Sequence, residues 1–282
     1  MNIDISELLT GAYDLHIHAA PSPFHRLMDD FELLRAAGRA KMAGILLKSH
    51  YEPTAARAEL ANKYAGSRTT AYGALVLNQP VGGLNPYAVH NALRRGARLV
   101  FMPTRDAENS LHSGDMPGDF FRRPGIGIFT SGRRLKPAVY EIIEVIRQYD
   151  ATLATGHLSP EESVALCQAG LDAGVRMVLT HPEFSRTKVP APVQQELARK
   201  GVLIEKCWYN IAARECSAEQ MADTIRMIGA EHCFMTTDRG QDDWESPAEG
   251  MVRFAAMLSA CGVTRGELTM MLKTVPGKVL NL

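Results

Sequence analysis

Short apolar runs recur along the whole chain, each followed by a longer segment with helix-type spacing. Eight of the runs read as strands: AYDLHI, AGILLKS, TAYGALVL, ARLVFM, ATLATG, RMVLT, VLIEKC and CFMTT. They are apolar on both faces, as expected of parallel strands covered by helices on one side and by packed core on the other. The segments between them carry helix start signals. Ser159-Pro160-Glu161-Glu162, Ser217-Ala218-Glu219-Gln220 and Ser246-Pro247-Ala248-Glu249 fit a capping box, in which the serine oxygen accepts a backbone N–H and the later Glu or Gln reaches back. Gly201 and Gly229 stand where helices should stop. Strand and helix alternating eight times predict an α/β fold, a (β/α)8 TIM barrel forming one domain over residues 1–282. A doubly wound open sheet is the alternative, and no G-x-G-x-x-G follows an early strand to support its dinucleotide-binding form.

Two segments break the rhythm. A polar loop from Thr104 to Gly125 follows the fourth strand, and "GIGIFTSGRRLK" after it predicts a small hairpin turning at Ser131-Gly132. An insertion of that length usually serves as a lid or specificity loop. From Thr264 onward the chain reads as an additional helix and an apolar turn packed on the barrel.

Composition narrows the function. With 282 residues, 46% of them hydrophobic, the chain can build a large core. Its 31 basic and 31 acidic residues cancel, so no global field favours nucleic acid or an anionic membrane. The opening MNIDISELL lacks the basic start of a signal peptide, and no run approaches the roughly 20 apolar residues of a membrane span. Five scattered cysteines without a C-x-x-C read as reduced thiols, hence a cytoplasmic protein. The expected partner is a small-molecule substrate, with neither nucleic acid nor membrane. Self-assembly stays open, since symmetric homo-oligomers are common among enzymes.

In a barrel of this kind the active site lies at the carboxyl ends of the strands. Those ends carry His16 and His18, Lys48 and His50, His157, His181, Glu205 with Lys206, and Asp238. His25 lies just beyond one of them, whereas His90 and His232 read as structural or exposed. Side chains alternate along a strand, so His16 and His18 share one side, as do Lys48 and His50. Imidazoles with a carboxylate suit Zn2+, and also Mn2+, Fe2+ or Co2+. Each residue has a plainer reading: hydrogen-bonded barrel histidines, a His157 placed by the helix that follows, a His181 capping a loop, an Asp238 in a turn. The clustering of so many at strand ends favours the metal site. Lys48 suits a base or a carboxylate anchor, and His50, Arg105 and Arg239 are candidates for substrate contact. For Arg105, His112, Arg122 and Arg123 the plainer reading, a solvated loop, is preferred over anion binding.

This order of residues resembles the amidohydrolase superfamily of metal-dependent barrels, whose marks are H-x-H on strand one, His on strands five and six, and Asp on strand eight. The tail TVPGKVLNL looks like the N-P-A-x-x-L-G-L ending common among its members. The resemblance implies that His16, His18 and His157 bind metal. It further implies that Asp238 ligates or hydrogen-bonds the metal water and acts as base, and that His181 binds a second metal or polarises the substrate. Binuclear members carry a bridging lysine or glutamate at the end of strand four, where this chain has Phe101-Met102-Pro103-Thr104. A mononuclear site is therefore expected, unless Lys48 or Glu205 acts in an unorthodox way. The opening DLHIHAAP is also similar to the decarboxylase and hydratase branch. Phosphoesterases with the same opening end in Asp-x-His, whereas here Asp238 is followed by Arg239 and Gly240. The expected function is a metal-dependent hydrolase acting on an amide, lactone or similar bond. The alternatives are a metal-dependent decarboxylase or hydratase on a carboxylated molecule, and a non-catalytic ligand-binding barrel.

Overall fold

The computed structural model describes residues 5–114 and 122–282. Eight parallel strands follow one another in sequence order: β1 (Tyr13–Ile17), β2 (Gly44–Leu47), β3 (Thr70–Val76), β4 (Ala97–Phe101), β5 (Thr152–Ala154), β6 (Arg176–Leu179), β7 (Leu203–Cys207) and β8 (Cys233–Thr236). The last strand returns to the first just past their ends. The Asp238 N–H donates to the His16 carbonyl at 2.8 Å and the His18 N–H to that of Arg239 at 2.8 Å. The result is a nearly closed TIM-type barrel, as the alternation of elements predicts.

All three expected capping boxes form, at Ser159, Ser217 and Ser246. Two more, Asp29 with Glu32 and Thr264 with Glu267, start helices in the same way. Alternate side chains of the strands enter two separate cores. Outward residues such as Ile45, Leu47, Val100 and Ile204 pack under the helices. Inward residues such as Leu15, Leu46, Leu99 and Phe234 fill the barrel. The C-terminal extension, expected to pack on the barrel, does more. Its final helix, Val275–Leu280, places Val275, Val279 and Leu280 in the interior core and closes the lower end.

The insertion after β4 holds a short helix, Glu108–His112, and the expected hairpin, bridged between Phe129 and Leu135. It is tied down across the top of the barrel. Asn109 Nδ2 donates to the carbonyls of His157 (3.1 Å) and Arg186 (2.6 Å), and Arg186 donates back to those of Ser110 and Gly114, both at 2.6 Å. The middle of the long polar loop, residues 115–121, lies outside the described residues, as do residues 1–4 of the opening segment. No described helix is long and apolar enough to cross a membrane.

Candidate metal centre

The strands stop short of most of the site. His16 is on β1, but His18, Lys48, His50, His157, His181 and Asp238 lie in the first few residues beyond their strands. Special backbone geometry turns them inward. Asp238 and His181 take positive φ angles of 51° and 25°. Gly240 has φ 128°, and a Cβ there would lie 1.7 Å from the His18 carbonyl oxygen, so only glycine lets the eighth loop run so close to the first. Gly156 plays the same part before His157, where a Cβ would lie 2.3 Å from the Met102 carbonyl oxygen.

The ligand atoms of His16, His18 and Asp238 lie within 4.8 Å of one another, the one such His/Cys/Asp/Glu group among the described residues. Asp238 Oδ1 is 3.3 Å from His16 Nε2 and 3.0 Å from His18 Nε2. Glu205, inward on β7, is 2.7 Å from His16 Nδ1 through Oε1. The same oxygen accepts the Thr236 hydroxyl at 2.9 Å, and Oε2 accepts the His181 backbone N–H at 3.0 Å. Despite burial, the neighbouring His16 and these bonds hold the Glu205 carboxyl below its ordinary range, so it stays an acceptor. His16 therefore donates from Nδ1 to Glu205 and presents Nε2 to Asp238 and Lys48. Lys48 Nζ lies 2.9 Å from the same His16 Nε2, so His16, Asp238 and Lys48 converge on one spot.

The surroundings fit a metal ion. Burial pushes His18 down to about 3 and His181 to about 4, and pushes His50 and His157 well below their ordinary value. All four are thus neutral ligands at neutral pH. Burial alone would raise Asp238, but His16, His18 and Lys48 outweigh it and keep the carboxylate ionised. His157 Nδ1 is buried without a hydrogen-bond partner, the state of an imidazole awaiting a ligand. His157 and His181 do not share the triad's tight spacing, yet their rings lie 5.0 Å apart and His181 stacks on His16 at 5.7 Å. His50 stacks on His18 at 4.8 Å and is held by Thr104, 2.8 Å from its Nδ1, which also accepts from Asn78 Nδ2.

Burial drops the Lys48 amine to about 8, and its Nζ sits 4.9 Å over the Phe101 ring. Phe101, the last residue of β4, also lies near the centre, its ring centre 5.8 Å from that of His16.

Above the triad opens a cavity of about 520 Å³ lined by His18, Lys48, His50, His157, His181, Asp238 and Arg105. Arg239 is placed elsewhere. It is fully buried, bonded to Glu245 Oε1 at 2.7 Å and stacked 4.1 Å over Trp244, outside the cavity lining. Glu205 does not pair with Lys206, which points outward to Glu183 (2.5 Å) and Gln194 (2.9 Å). Sequence reasoning passed over other lining residues: Phe24 and Arg26 from the first loop, Phe184, Tyr209 with Asn210, and Trp244. All of them lie in the segments that follow strands, Tyr209 and Asn210 in the short helix Trp208–Ala212 directly after β7, and that is the signal the sequence offers.

The described barrel carries the His16, His18 and Asp238 group at the carboxyl end of its strands. Residues 11–205 match a family described as Family of unknown function (DUF6282), and the chain belongs to that family. No curated protein matches the sequence. Among solved structures, the fold is similar to an amidohydrolase from Pseudomonas aeruginosa (TM-score 0.67, 10% identity, 99% of this chain and 98% of that one). It is also similar to a probable 2-pyrone-4,6-dicarboxylic acid hydrolase from Acinetobacter baumannii (0.61, 13%, 96% and 100%). A third similar structure is 2,6-dihydroxybenzoate decarboxylase from Rhizobium (0.55, 14%, 96% and 99%). At such identities the likeness concerns the fold.

Proposed function

We propose that the protein is a metal-dependent hydrolase acting on an amide, lactone or similar bond of a small molecule. The carrying observation is the cluster of His16, His18 and Asp238, of which His18 and Asp238 line the cavity. His16 Nε2 and His18 Nε2, with Asp238, would hold the ion, and His157 and His181 stand ready beside them. The nitrogen and oxygen donor set suits Zn2+ first, with Mn2+, Fe2+ or Co2+ as alternatives. When bound, such an ion supplies Lewis acidity and lowers the pKa of a coordinated water to about 7.

The chain's own groups do the rest. Asp238, ionised and 18% exposed at its side chain, can accept a proton from the attacking water and return it to the leaving group. His181 is neutral and lines the cavity, where it can polarise the carbonyl under attack. Lys48 balances the Asp238 and Glu205 charges and can steady a developing oxyanion. Glu205 fixes the His16 ring without touching substrate.

A second reading keeps the metal and changes the reaction to decarboxylation or hydration of a carboxylated molecule. Lys48 and Arg105 in the cavity wall favour it, as does the fold shared with 2,6-dihydroxybenzoate decarboxylase. Metal analysis of the purified protein, followed by turnover on amide, lactone and carboxylated panels, tests both. Bound metal with release of a hydrolysed product supports the first reading; turnover confined to loss of CO2 or addition of water supports the second. Absence of metal, with no affinity for added Zn2+, Mn2+, Fe2+ or Co2+, overturns both.

A further inference from the structure

The cavity is walled in two different ways. Lys48, His50 and His157, after β2 and β5, give it a polar side. The segments after β6, β7 and β8 bring aromatic rings instead: Phe184, Tyr209 and Trp244. These rings follow one another in series. Phe184 meets His181 edge to face at 5.4 Å, Tyr209 meets Phe184 in the same way at 6.0 Å, and Trp244 lies 6.2 Å from Tyr209. The series therefore starts at the metal centre. Tyr209 is also near enough to Asp238 that its phenol is raised first by burial and then by that charge.

The far end of the series is braced from behind. Arg239 is fully buried and outside the cavity lining, its guanidinium carbon 4.1 Å from the Trp244 ring centre and 5.8 Å from that of Trp208. Glu245 Oε1 accepts from Arg239 Nε at 2.7 Å and from Trp208 Nε1 at 2.5 Å. Arg239 Nη1 and Nη2 are nevertheless buried without a hydrogen-bond partner. Burying a guanidinium so incompletely paired is unfavourable. What the arrangement secures is an indole fixed against a cation on one side, with the cavity on the other. Trp244 thus presents half-buried apolar surface that a ligand can cover. Phe24, elsewhere in the lining, is already covered by the guanidinium groups of Arg26 and Arg105, 6.0 and 5.0 Å from its ring centre.

Resting on the hydrolase reading above, we propose that the substrate carries an aromatic ring, which packs on Trp244 and Tyr209 while the bond to be broken lies over His18 and Asp238. An aromatic ring stacks on an indole, or sets its edge against one, with centres roughly 4.5–7 Å apart, and gains more there than its area alone provides.

Titration calorimetry on the full chain, its metal content measured beforehand, tests the ring site with benzamide, cyclohexanecarboxamide and acetamide. The two cyclic amides differ in the ring, and acetamide offers the amide alone. Wild-type protein should bind benzamide about three- to tenfold more tightly than cyclohexanecarboxamide, the scale of a favourable aromatic pair, and acetamide most weakly. Trp244→Leu should bring the two cyclic amides to equal affinity, Tyr209→Leu should reduce the preference, and Trp244→Phe should keep most of it. The readout is a ratio between two ligands, which a general loosening of the wall would not shift selectively. Equal affinity of wild-type protein for the two cyclic amides overturns the proposal, as does no binding of benzamide. So does a preference unchanged in Trp244→Leu or, if that variant does not fold, in Tyr209→Leu. A protein that binds no metal but shows the preference and loses it with Trp244→Leu would sink the hydrolase reading and leave the ring site standing.

Discussion

The two ends of the barrel interior are built from the same strands under opposite rules. At the lower end Leu15, Leu46, Leu99 and Phe234 close on Val275, Val279 and Leu280. A polar group there, the Thr152 hydroxyl, donates to the Val279 carbonyl at 2.7 Å. At the upper end four neutral imidazoles, a glutamate and a lysine are buried beside the half-buried, ionised Asp238, and His157 Nδ1 is left without a partner. Burying polar groups without full pairing is unfavourable, while burying aliphatic ones is favourable. One end holds the barrel together, and the other is held in place by it. A concentration of unfavourable burial at one end is therefore itself a sign of function.

The comparison predicts a clean separation of effects. Asp238→Asn, nearly the same shape, should lower hydrolytic turnover by about a thousandfold, within the range of lost acid–base catalysis. It should also weaken metal binding while shifting the thermal midpoint little. Turnover within a few-fold of wild type would remove Asp238 from the chemistry. Leu280→Ala, at the other end, should lower unfolding free energy by about 2–5 kcal/mol in urea titrations. Metal stoichiometry should be unchanged by it. If Leu280→Ala empties the metal centre, the two ends are coupled and the comparison fails.

The barrel was legible because each strand is an apolar run bounded by cap and turn residues. The metal candidates were legible because they fall at the ends of those runs. What escaped depends on phase and on long-range contacts. In Leu203-Ile204-Glu205-Lys206-Cys207 both faces are buried, so the pattern does not show whether Glu205 or Lys206 faces inward. Arg26 lies in a loop whose path is set from afar. Arg57 donates to the carbonyls of Ala19 and Pro21, both at 3.1 Å, and the Leu27 N–H donates to that of Gly240 at 3.0 Å. Arg239 directly follows Asp238, whose positive φ redirects the chain, and it leaves the cavity for Glu245 and Trp244.

Glu205 allows a sharper test of the upper end, because it shapes the centre without lining the cavity. Glu205→Gln keeps the volume but removes the charge that fixes the His16 proton on Nδ1. Metal affinity measured against a chelator should fall by about 10- to 100-fold, the usual effect of losing a carboxylate behind a metal histidine. An unchanged affinity would make Glu205 a packing residue of the barrel and nothing more.

The mildest effect is a matter of pH in the metal-free protein. His18 and His181 titrate near 3 and 4 when folded, and His50 and His157 also lie well below their ordinary value, because burial disfavours the charged ring. In the unfolded chain each titrates near 6.5. Between those values the unfolded state binds more protons, so stability is fully present above about pH 6.5 and is lost as pH falls toward 4. Asp14 works in the other direction. Burial raises its carboxyl to about 7 against the hydrogen bonds from Thr237, so its contribution is present in acid and is lost as pH rises through 7. Asp14 offsets one of the four imidazole protons, and a net loss of stability on acidification remains. Urea unfolding in the presence of a chelator, stepped from pH 7 to 4.5, should show a steadily falling midpoint. His181→Gln should flatten that slope by about one proton. A midpoint that holds or rises on acidification would mean that the upper histidines are not held neutral by burial, and the contrast between the two ends would lose its electrostatic basis.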